Sequence, residues 1–180
     1  MFDNQLIKIF YPIIKQGFVD FGLGSVIVRQ AYQPTQQGTE SDPAVHFFKI
    51  SDKRYGSPYK YSFHNFLENQ QHQIYRQLYE TTFQISALSA QNPKDMNSLT
   101  ASDLVNITSE ILQLDSTIKE LKSNNVGILR ISDIRNPIFV DDRDQFEESP
   151  SFDFTLRHFQ DRDSIIDFVT EIDGNIYNIC

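Results

Sequence analysis

Two long stretches of alternating apolar and polar residues constrain the fold more than any other feature. They run from Gln73 to Ser89 and from Ser151 to Gln160. Their apolar sides consist of Tyr75, Tyr79, Phe83, Ile85 and Ala87 in the first stretch, and of Phe152, Phe154, Leu156 and His158 in the second. Successive side chains of a strand point to opposite faces of a sheet, so a period of two predicts strands with one apolar face and one solvent-exposed face. The apolar face of such a sheet needs a covering layer.

The spacing of apolar residues near the N-terminus predicts a helix that supplies part of this layer. Its stripe, which repeats every three or four residues, consists of Leu6, Ile9, Phe10, Ile13, Ile14 and Phe18. Asp3 or Asn4 is the predicted cap. Pro12 lies inside the pattern, and proline removes one amide donor and crowds the preceding turn, so the helix is expected to kink or to begin there. The segment from Phe21 to Gly24 is expected to end the helix.

A central helical pair is predicted between the two alternating stretches. Thr100, with Asp103 three positions later, has the spacing of a capping box, in which side chains satisfy backbone amides at a helix start. The apolar residues that follow at helical spacing are Leu104, Ile107, Ile111 and Leu114. A second, shorter helix continues through Leu121 and is predicted to end near Asn124. Gly127 then leads into a strand from 128 to 131.

Further strands are predicted in the first third of the chain. The segment from Ser25 to Gln30 has a short β-branched run beside glycine, which is typical of a buried strand. The segments from Ala44 to Ile50 and from Tyr59 to Phe63 predict a hairpin, because turn residues Gly56 and Pro58 lie between them.

Polar composition predicts two long loops, from Tyr32 to Pro43 and from Arg135 to Pro150. In the tail, apolar residues from Ile165 onwards flank an Asp-Gly pair at 173–174, which predicts a closing hairpin; a helix from 164 to 172 is the alternative. The order of elements predicts an α+β fold, with a mixed or largely antiparallel sheet packed against the N-terminal helix and the central helical pair. The 180 residues are expected to form a single domain, 1–180.

Charge and cysteine content exclude several classes of protein. The formal net charge is −8, so the basic footprint of a sequence-reading nucleic-acid binder is missing. Lys53, Arg54 and Lys60 are interpreted as a solvated loop. Cys180 is the only cysteine, which excludes an intrachain disulfide and a thiolate metal cluster. The first residues lack a basic signal region and no apolar run approaches the roughly 20 residues of a membrane span, so neither secretion nor membrane insertion is expected.

No motif of known chemistry is found. Gly22 and Gly24 precede a predicted strand, whereas a phosphate loop places its glycines after one. The four histidines lack the helical spacing that directs two imidazoles at one metal, and His158 is predicted to be a core or interface residue. The carboxylates from Asp141 to Glu148 lack the central glycine of a calcium loop and are interpreted as a solvated acidic loop. The sequence therefore predicts no catalytic site, no metal and no cofactor.

Several segments resemble the neck terminator proteins of tailed bacteriophages, which are related in role to tail terminators. They are Val28-Arg29-Gln30, Gln33-Pro34-Thr35-Gln36-Gln37-Gly38, Tyr79-Glu80-Thr81-Thr82-Phe83-Gln84-Ile85, Ile134-Arg135-Asn136-Pro137, Asp142-Arg143-Asp144-Gln145-Phe146-Glu147 and Pro150-Ser151-Phe152-Asp153-Phe154. None is a chemical motif, so the specificity lies in their order along the chain. The resemblance implies a small α+β virion protein, assembled in the host cytoplasm, that forms a ring at the head-proximal end of the tail.

The same resemblance implies a set of partners. A hexameric ring would contact the tail tube protein and the head–tail connector or adaptor protein, and DNA would pass through its channel without sequence-specific binding. Six copies at −8 would carry about −48 charges, and acidic walls repel phosphate groups. No membrane partner is expected.

The two polar loops are the expected contact surfaces of such a ring subunit. The residues expected to lie at the interfaces are Gln33, Thr35, Gln36, Gln37, Arg135, Asp142, Arg143, Asp144, Gln145 and Glu147. Arg135 and Arg143 flank the acidic stretch and are expected to form ion pairs between subunits, which specify register more than they stabilise. The alternatives left open are another tail-completion or baseplate subunit and a small cytoplasmic enzyme.

Overall fold

The computed structural model describes residues 1–30, 43–68, 70–89, 98–140 and 146–166, with the backbone alone at 138–140 and 146–148. The elements in chain order are α1 (Asp3–Asp20), β1 (Ile27–Gln30), β2 (Ala44–Asn65), β3 (Gln70–Leu88), α2 (Ala101–Gln113), α3 (Asp115–Ser123), β4 (Val126–Ile131), β5 (Ile138–Val140), β6 (Phe146–Glu148) and β7 (Ser151–Ile166). Five of the strands form one sheet in the order β1-β2-β3-β7-β4. β1 runs parallel to β2, and the other neighbours are antiparallel. The predicted α+β class with a mixed sheet is confirmed.

The core lies between α1, the α2–α3 pair and one face of the sheet. The ring of Phe10 is fully buried and meets the rings of Phe47, Phe83 and Phe154 edge-on, with centroids 4.9 to 5.4 Å apart. Alternation in β3 and β7 places the apolar side chains on this face, as predicted. Gly17 of α1 allows α2 to approach closely, because a Cβ there would lie 2.4 Å from Cγ2 of Ile111.

The ends of α1 differ from the prediction. The N-cap is Phe2, and the side chain of Gln5 accepts a hydrogen bond from its amide at 2.8 Å, so the prediction of Asp3 or Asn4 as the cap is wrong. The helix also runs through Pro12 without beginning there. Pro12 and Lys8 are both exposed, so the carbonyl that loses its partner to proline lies on the solvent side of the helix.

The central helical pair is confirmed together with its start signal. The amide of Asp103 donates to Oγ1 of Thr100 at 3.1 Å, and the amide of Thr100 donates to Oδ2 of Asp103 at 2.9 Å. Asn125, just after α3, has a φ of 58° and turns the chain into β4.

The hairpin predicted around Gly56 and Pro58 is wrong. β2 is a continuous strand of 22 residues, and the chain reverses at 66–68 instead. Gly56 has a φ of +68° and lies in a register shift between Tyr55 and Tyr59. Glycine and proline mark a bulge in an edge strand as readily as a turn, which is why the pattern was ambiguous. The basic residues at 53, 54 and 60 therefore lie on a strand and not in a loop.

Two further predictions need correction. The segment from Arg135 to Pro150 is not a loop throughout, because β5 and β6 pair in it as a short antiparallel ladder. β7 continues to Ile166, so the alternative of a helix starting at Ser164 is wrong. The predicted hairpin at 173–174 and residues 32–42 of the first polar loop lie outside the described residues. Within the described part of the chain, no helix has the length and apolarity that crossing a membrane requires.

Candidate functional site

Three strands of the sheet extend beyond the helical layer and form a projecting arm. We define the arm as residues 53–65 of β2, 70–80 of β3 and 159–166 of β7. Thirteen residues of extended chain span roughly 40 Å. The buried core ends at Phe47, Thr81 and His158, whereas β2 is exposed from Ile50 through Lys60. The base of the arm shares one groove with the start of α1, at Arg54, Tyr79 and Gln160, and another with the helical pair, at Phe159. The rest of the arm extends past the described helices.

The arm exposes large apolar side chains on the face turned away from α1, here called the outer face. Strand register places on it Tyr55, Tyr59, Phe63, Phe159 and Ile165, which together form the apolar band. Each of them is exposed, Tyr59 to 67% and Ile165 to 63%. Single exposed apolar residues are ordinary, but five on one face of an arm are typical of an interaction site. The apolar band is thus the principal candidate surface of the chain.

A ladder of polar pairs crosses the outer face between β3 and β7. From the base of the sheet to the arm, the pairs are Gln84–Asp153 at 2.9 Å, Thr82–Thr155 at 3.0 Å, Arg157–Glu80 at 2.8 Å, Arg76–Asp161 at 2.6 Å and His72–Asp163 at 2.9 Å. Each pair joins the side chains of strands that are far apart in sequence. Exposed pairs contribute little stability, but five pairs along the two strands help to fix the register of β3 against β7.

Arg76 is the central residue of this ladder. Hydrogen bonding to the Asp161 carboxylate raises the pKa of Arg76, and the guanidinium in turn holds the pKa of Asp161 below its ordinary value. The guanidinium also lies over the rings of Tyr61 and Phe159, at 5.9 and 5.6 Å from their centroids. Arg76 therefore connects all three strands of the arm.

An apolar groove of about 630 Å³ lies beside the base of the arm. Its lining includes Leu112 and Ile118 from the helical pair, Val126 and Ile128 from β4, and Phe159 from β7. Since Phe159 belongs to both, the groove continues the apolar band around the edge of β7.

A polar network, buried at Thr81 and His158, joins the start of α1 to the base of the arm. Lys49 bridges Asp3, at 2.7 Å, and Asp52. The hydroxyl of Thr81 donates to Oδ1 of Asp52 at 2.7 Å and lies 3.0 Å from Nε2 of His158. Burial would raise the pKa of Asp52, but hydrogen bonds from Lys49 and Thr81 outweigh it and hold that pKa below its ordinary value.

Comparison with known proteins identifies the family of this chain. Residues 5–167 match the family described as E217 gateway protein gp29. The chain belongs to this family. Membership makes it a structural phage protein of the head–tail region, which confirms the broad prediction of a phage neck protein. No curated protein matches the chain.

A non-enzymatic role follows from membership in the gateway family, and the polar network agrees with it. Asp52, Thr81 and His158 resemble a nucleophile with a base and an orienting carboxylate, which is the arrangement that the enzyme alternative requires. In this gateway protein, however, the Thr81 side chain is 1% exposed and its hydroxyl donates to the carboxylate. Asp52 therefore bonds the hydroxyl and not the imidazole, which is the group that the carboxylate of such a triad orients. The network instead anchors α1 to the sheet.

His158 makes the stability of the gateway protein depend on pH. Burial lowers the pKa of His158 below its ordinary value of 6.5. The unfolded chain then takes up this proton more readily than the folded chain, so the free energy of unfolding falls as pH drops from 6.5 through the folded pKa, below which the loss is complete. Denaturant titrations across that window should show the loss in the parent and a flatter profile in His158→Gln. Parallel profiles for the two proteins would contradict the assignment, and His64→Gln controls for removal of an imidazole.

Most of the interface residues predicted from sequence lie outside the described part of the gateway protein. These are Gln33, Thr35, Gln36, Gln37, Asp142, Arg143, Asp144 and Gln145, and of Glu147 only the backbone in β6 is described. Arg135 is described: its guanidinium is exposed and bonds Asp153 of the same chain at 2.9 Å. Its role between subunits stays a prediction, as do the roles of the others. His158 is buried in the core, as predicted.

Sequence reasoning missed the arm. A sequence signal for its β2 strand was present, because basic and aromatic residues recur from Lys53 to Phe63. These residues were interpreted as a loop and a short strand. The ladder had no such signal, because its partners lie 69 to 91 positions apart and become neighbours only through strand register.

Proposed function

We propose that the chain is the subunit of a hexameric ring in the phage neck, where it ends the tail tube at its head-proximal end and joins it to the head–tail connector. The observation that carries this proposal is the projecting arm with its exposed apolar band, found in a chain of the gateway family. A chain that leaves such a band in water gains stability by burying it against other copies. The proposal makes the protein a component of the virion.

The proposed partners are sister copies, the tail tube protein and the connector. The polar loops around Gln33–Gln37 and Asp142–Glu147 are proposed to contact the tube and the connector, and Arg135 to reach a neighbouring subunit. DNA is proposed to pass through the central channel without sequence-specific binding, since the net charge of −8 on each chain disfavours lasting contact with phosphates.

The proposal is tested by deleting the gene from the phage and supplying it again in trans. Without the protein we expect filled heads, together with tails that are unattached or exceed normal length, because nothing stops or docks the tube. The purified protein added to isolated tail tubes should appear by electron microscopy as a cap on one end only. Complete virions with tails of normal length in the deletion strain would refute the proposed function.

A further inference from the structure

The arm has two open edges that differ in chemistry. Along one edge of the sheet, β2 pairs with β1 only over residues 44–47, and none of the described strands pairs with the remainder of β2 on that edge. On the other side of the arm, β4 pairs with β7 no further than His158, and none of the described strands continues beside 159–166. We call residues 53–65 the β2 edge and residues 159–166 the β7 edge. The carbonyl of Phe159 already accepts from the amino group of Met1, and those of Tyr55 and Gly56 accept from the side chain of Gln77. The remaining backbone donors and acceptors of each edge are a template for another strand.

We infer that the β7 edge of one copy pairs with the β2 edge of the next copy, so that the arms join into one continuous sheet. This inference rests on the proposed ring and names the surface that closes it. Addition of a strand to an open edge supplies main-chain hydrogen bonds, while the side chains on either face determine which strand is accepted.

Charge distinguishes this pairing from the symmetrical alternatives. The β2 edge carries three cations, Lys53, Arg54 and Lys60, and no carboxylate, whereas the β7 edge carries Asp161 and Asp163 with a single arginine. Pairing two β2 edges would bring six cations together, and pairing two β7 edges would bring four carboxylates together. Like charges across adjacent strands are destabilising. Pairing unlike edges brings together neither of these sets, so the contact is head-to-tail, the type that closes into rings.

The direction of the new pair follows from the sheet. β2 and β7 are both antiparallel to β3, so they run parallel to each other within one chain. A rotation about a ring axis preserves the direction of a strand along that axis. The β7 edge of one copy and the β2 edge of the next therefore run parallel, each from the base of its own arm to the tip.

The joined arms would form a closed barrel to which each copy contributes three strands. Six copies would give about 18 strands, and barrels of roughly 16 to 18 strands enclose an aqueous channel. The same contact makes the apolar band continuous, because Phe159 and Ile165 of one copy come to lie beside Tyr55, Tyr59 and Phe63 of the next on the outer face. Burial of these side chains adds to the main-chain hydrogen bonds.

The β2 edge also carries features that restrict indiscriminate pairing of a free subunit. The register shift at Tyr55–Tyr59 contains Gly56 and Pro58, and proline cannot donate to a ladder. Lysines on an edge strand disfavour association with another β2 edge. A partner strand must accommodate the irregular backbone at Tyr55–Tyr59. This requirement favours one defined neighbour over nonspecific strands.

Cysteine cross-linking tests the pairing in the assembled ring. Ser62 on the β2 edge and Ser164 on the β7 edge are aligned with Gln73 in one row across the arm, on the face of α1. The parent for this test is Cys180→Ser, into which Ser62→Cys and Ser164→Cys are introduced singly, because within one chain the two positions lie two strands, about 10 Å, apart and would cross-link to each other. A bis-maleimide with a reach of about 10 Å covers a slip of roughly three residues in strand register. Rings assembled from an equal mixture of the two single variants should give covalent dimers, and rings of either variant alone should give almost none.

The outcomes separate the inference from the proposed function. Rings seen by native mass spectrometry with tail tubes present, but without cross-links in the mixed rings, overturn edge pairing and leave the proposed function standing. Dimers of Ser62→Cys alone show a symmetrical β2 contact and also overturn it. If the parent forms no ring with tail tubes, the proposed function fails, and edge pairing fails with it. Far-ultraviolet circular dichroism and thermal unfolding verify that each variant is folded.

Discussion

Replacing Phe10 by alanine is expected to lower the free energy of unfolding by about 4 kcal/mol, since truncating a fully buried phenylalanine removes its transfer free energy and leaves a cavity. Phe10 reaches from α1 to the sheet and touches aromatic rings on three strands, Phe47 of β2, Phe83 of β3 and Phe154 of β7. Its loss leaves three edge-on contacts unmade, each of which contributes beyond its buried area.

Denaturant unfolding of the parent and Phe10→Ala measures this difference. The matched control is Phe2→Ala at the start of the same helix, because Phe2 is 69% exposed and makes no contribution to the core cluster. We expect the control to change stability by less than about 0.5 kcal/mol, as is usual for surface positions. Similar losses for the two variants would show that α1 does not attach to the sheet through the Phe10 ring.

The helical layer and the core half of the sheet were predictable because their sequence patterns arise from burial. Helical spacing predicted α1, the Thr100–Asp103 capping box predicted α2, and alternation predicted β3 and β7. These signals are local: each is set by which side of one element faces the core.

The arm was not predictable because alternation does not reveal whether a covering layer exists. Tyr75 and Tyr79 continue the same period of two as Phe83, yet Phe83 is fully buried and the two tyrosines are only partly buried. The bulge at Gly56 carries the residues of a turn, so the sequence did not show that β2 continues through it as one strand. The polar network of Lys49, Asp52 and Thr81 depends on the register of β2 against β3, which the sequence alone does not determine.

Removing two members of the apolar band is expected to abolish ring assembly while the subunit stays folded. Tyr59 and Phe159 lie at opposite edges of the arm, and both are about half exposed or more in the single chain. Their replacement by serine in Tyr59→Ser/Phe159→Ser therefore removes little buried area from the subunit, and the free energy of unfolding should fall by no more than about 1 kcal/mol. In the ring the same side chains are desolvated, and truncation of a buried interface aromatic costs roughly 2 to 4 kcal/mol.

The two substitutions act on every subunit contact, so the double variant should weaken each contact by about 4 kcal/mol, a loss of roughly 1000-fold in association constant. Sedimentation velocity with and without tail tubes measures this. Leu129→Ser serves as the control, because Leu129 is similarly exposed but lies on β4, away from the arm. Rings of normal stability in the double variant would show that the apolar band faces solvent in the virion. The arm would then have to act through its backbone edges alone, a result that the cross-linking of Ser62 to Ser164 detects independently.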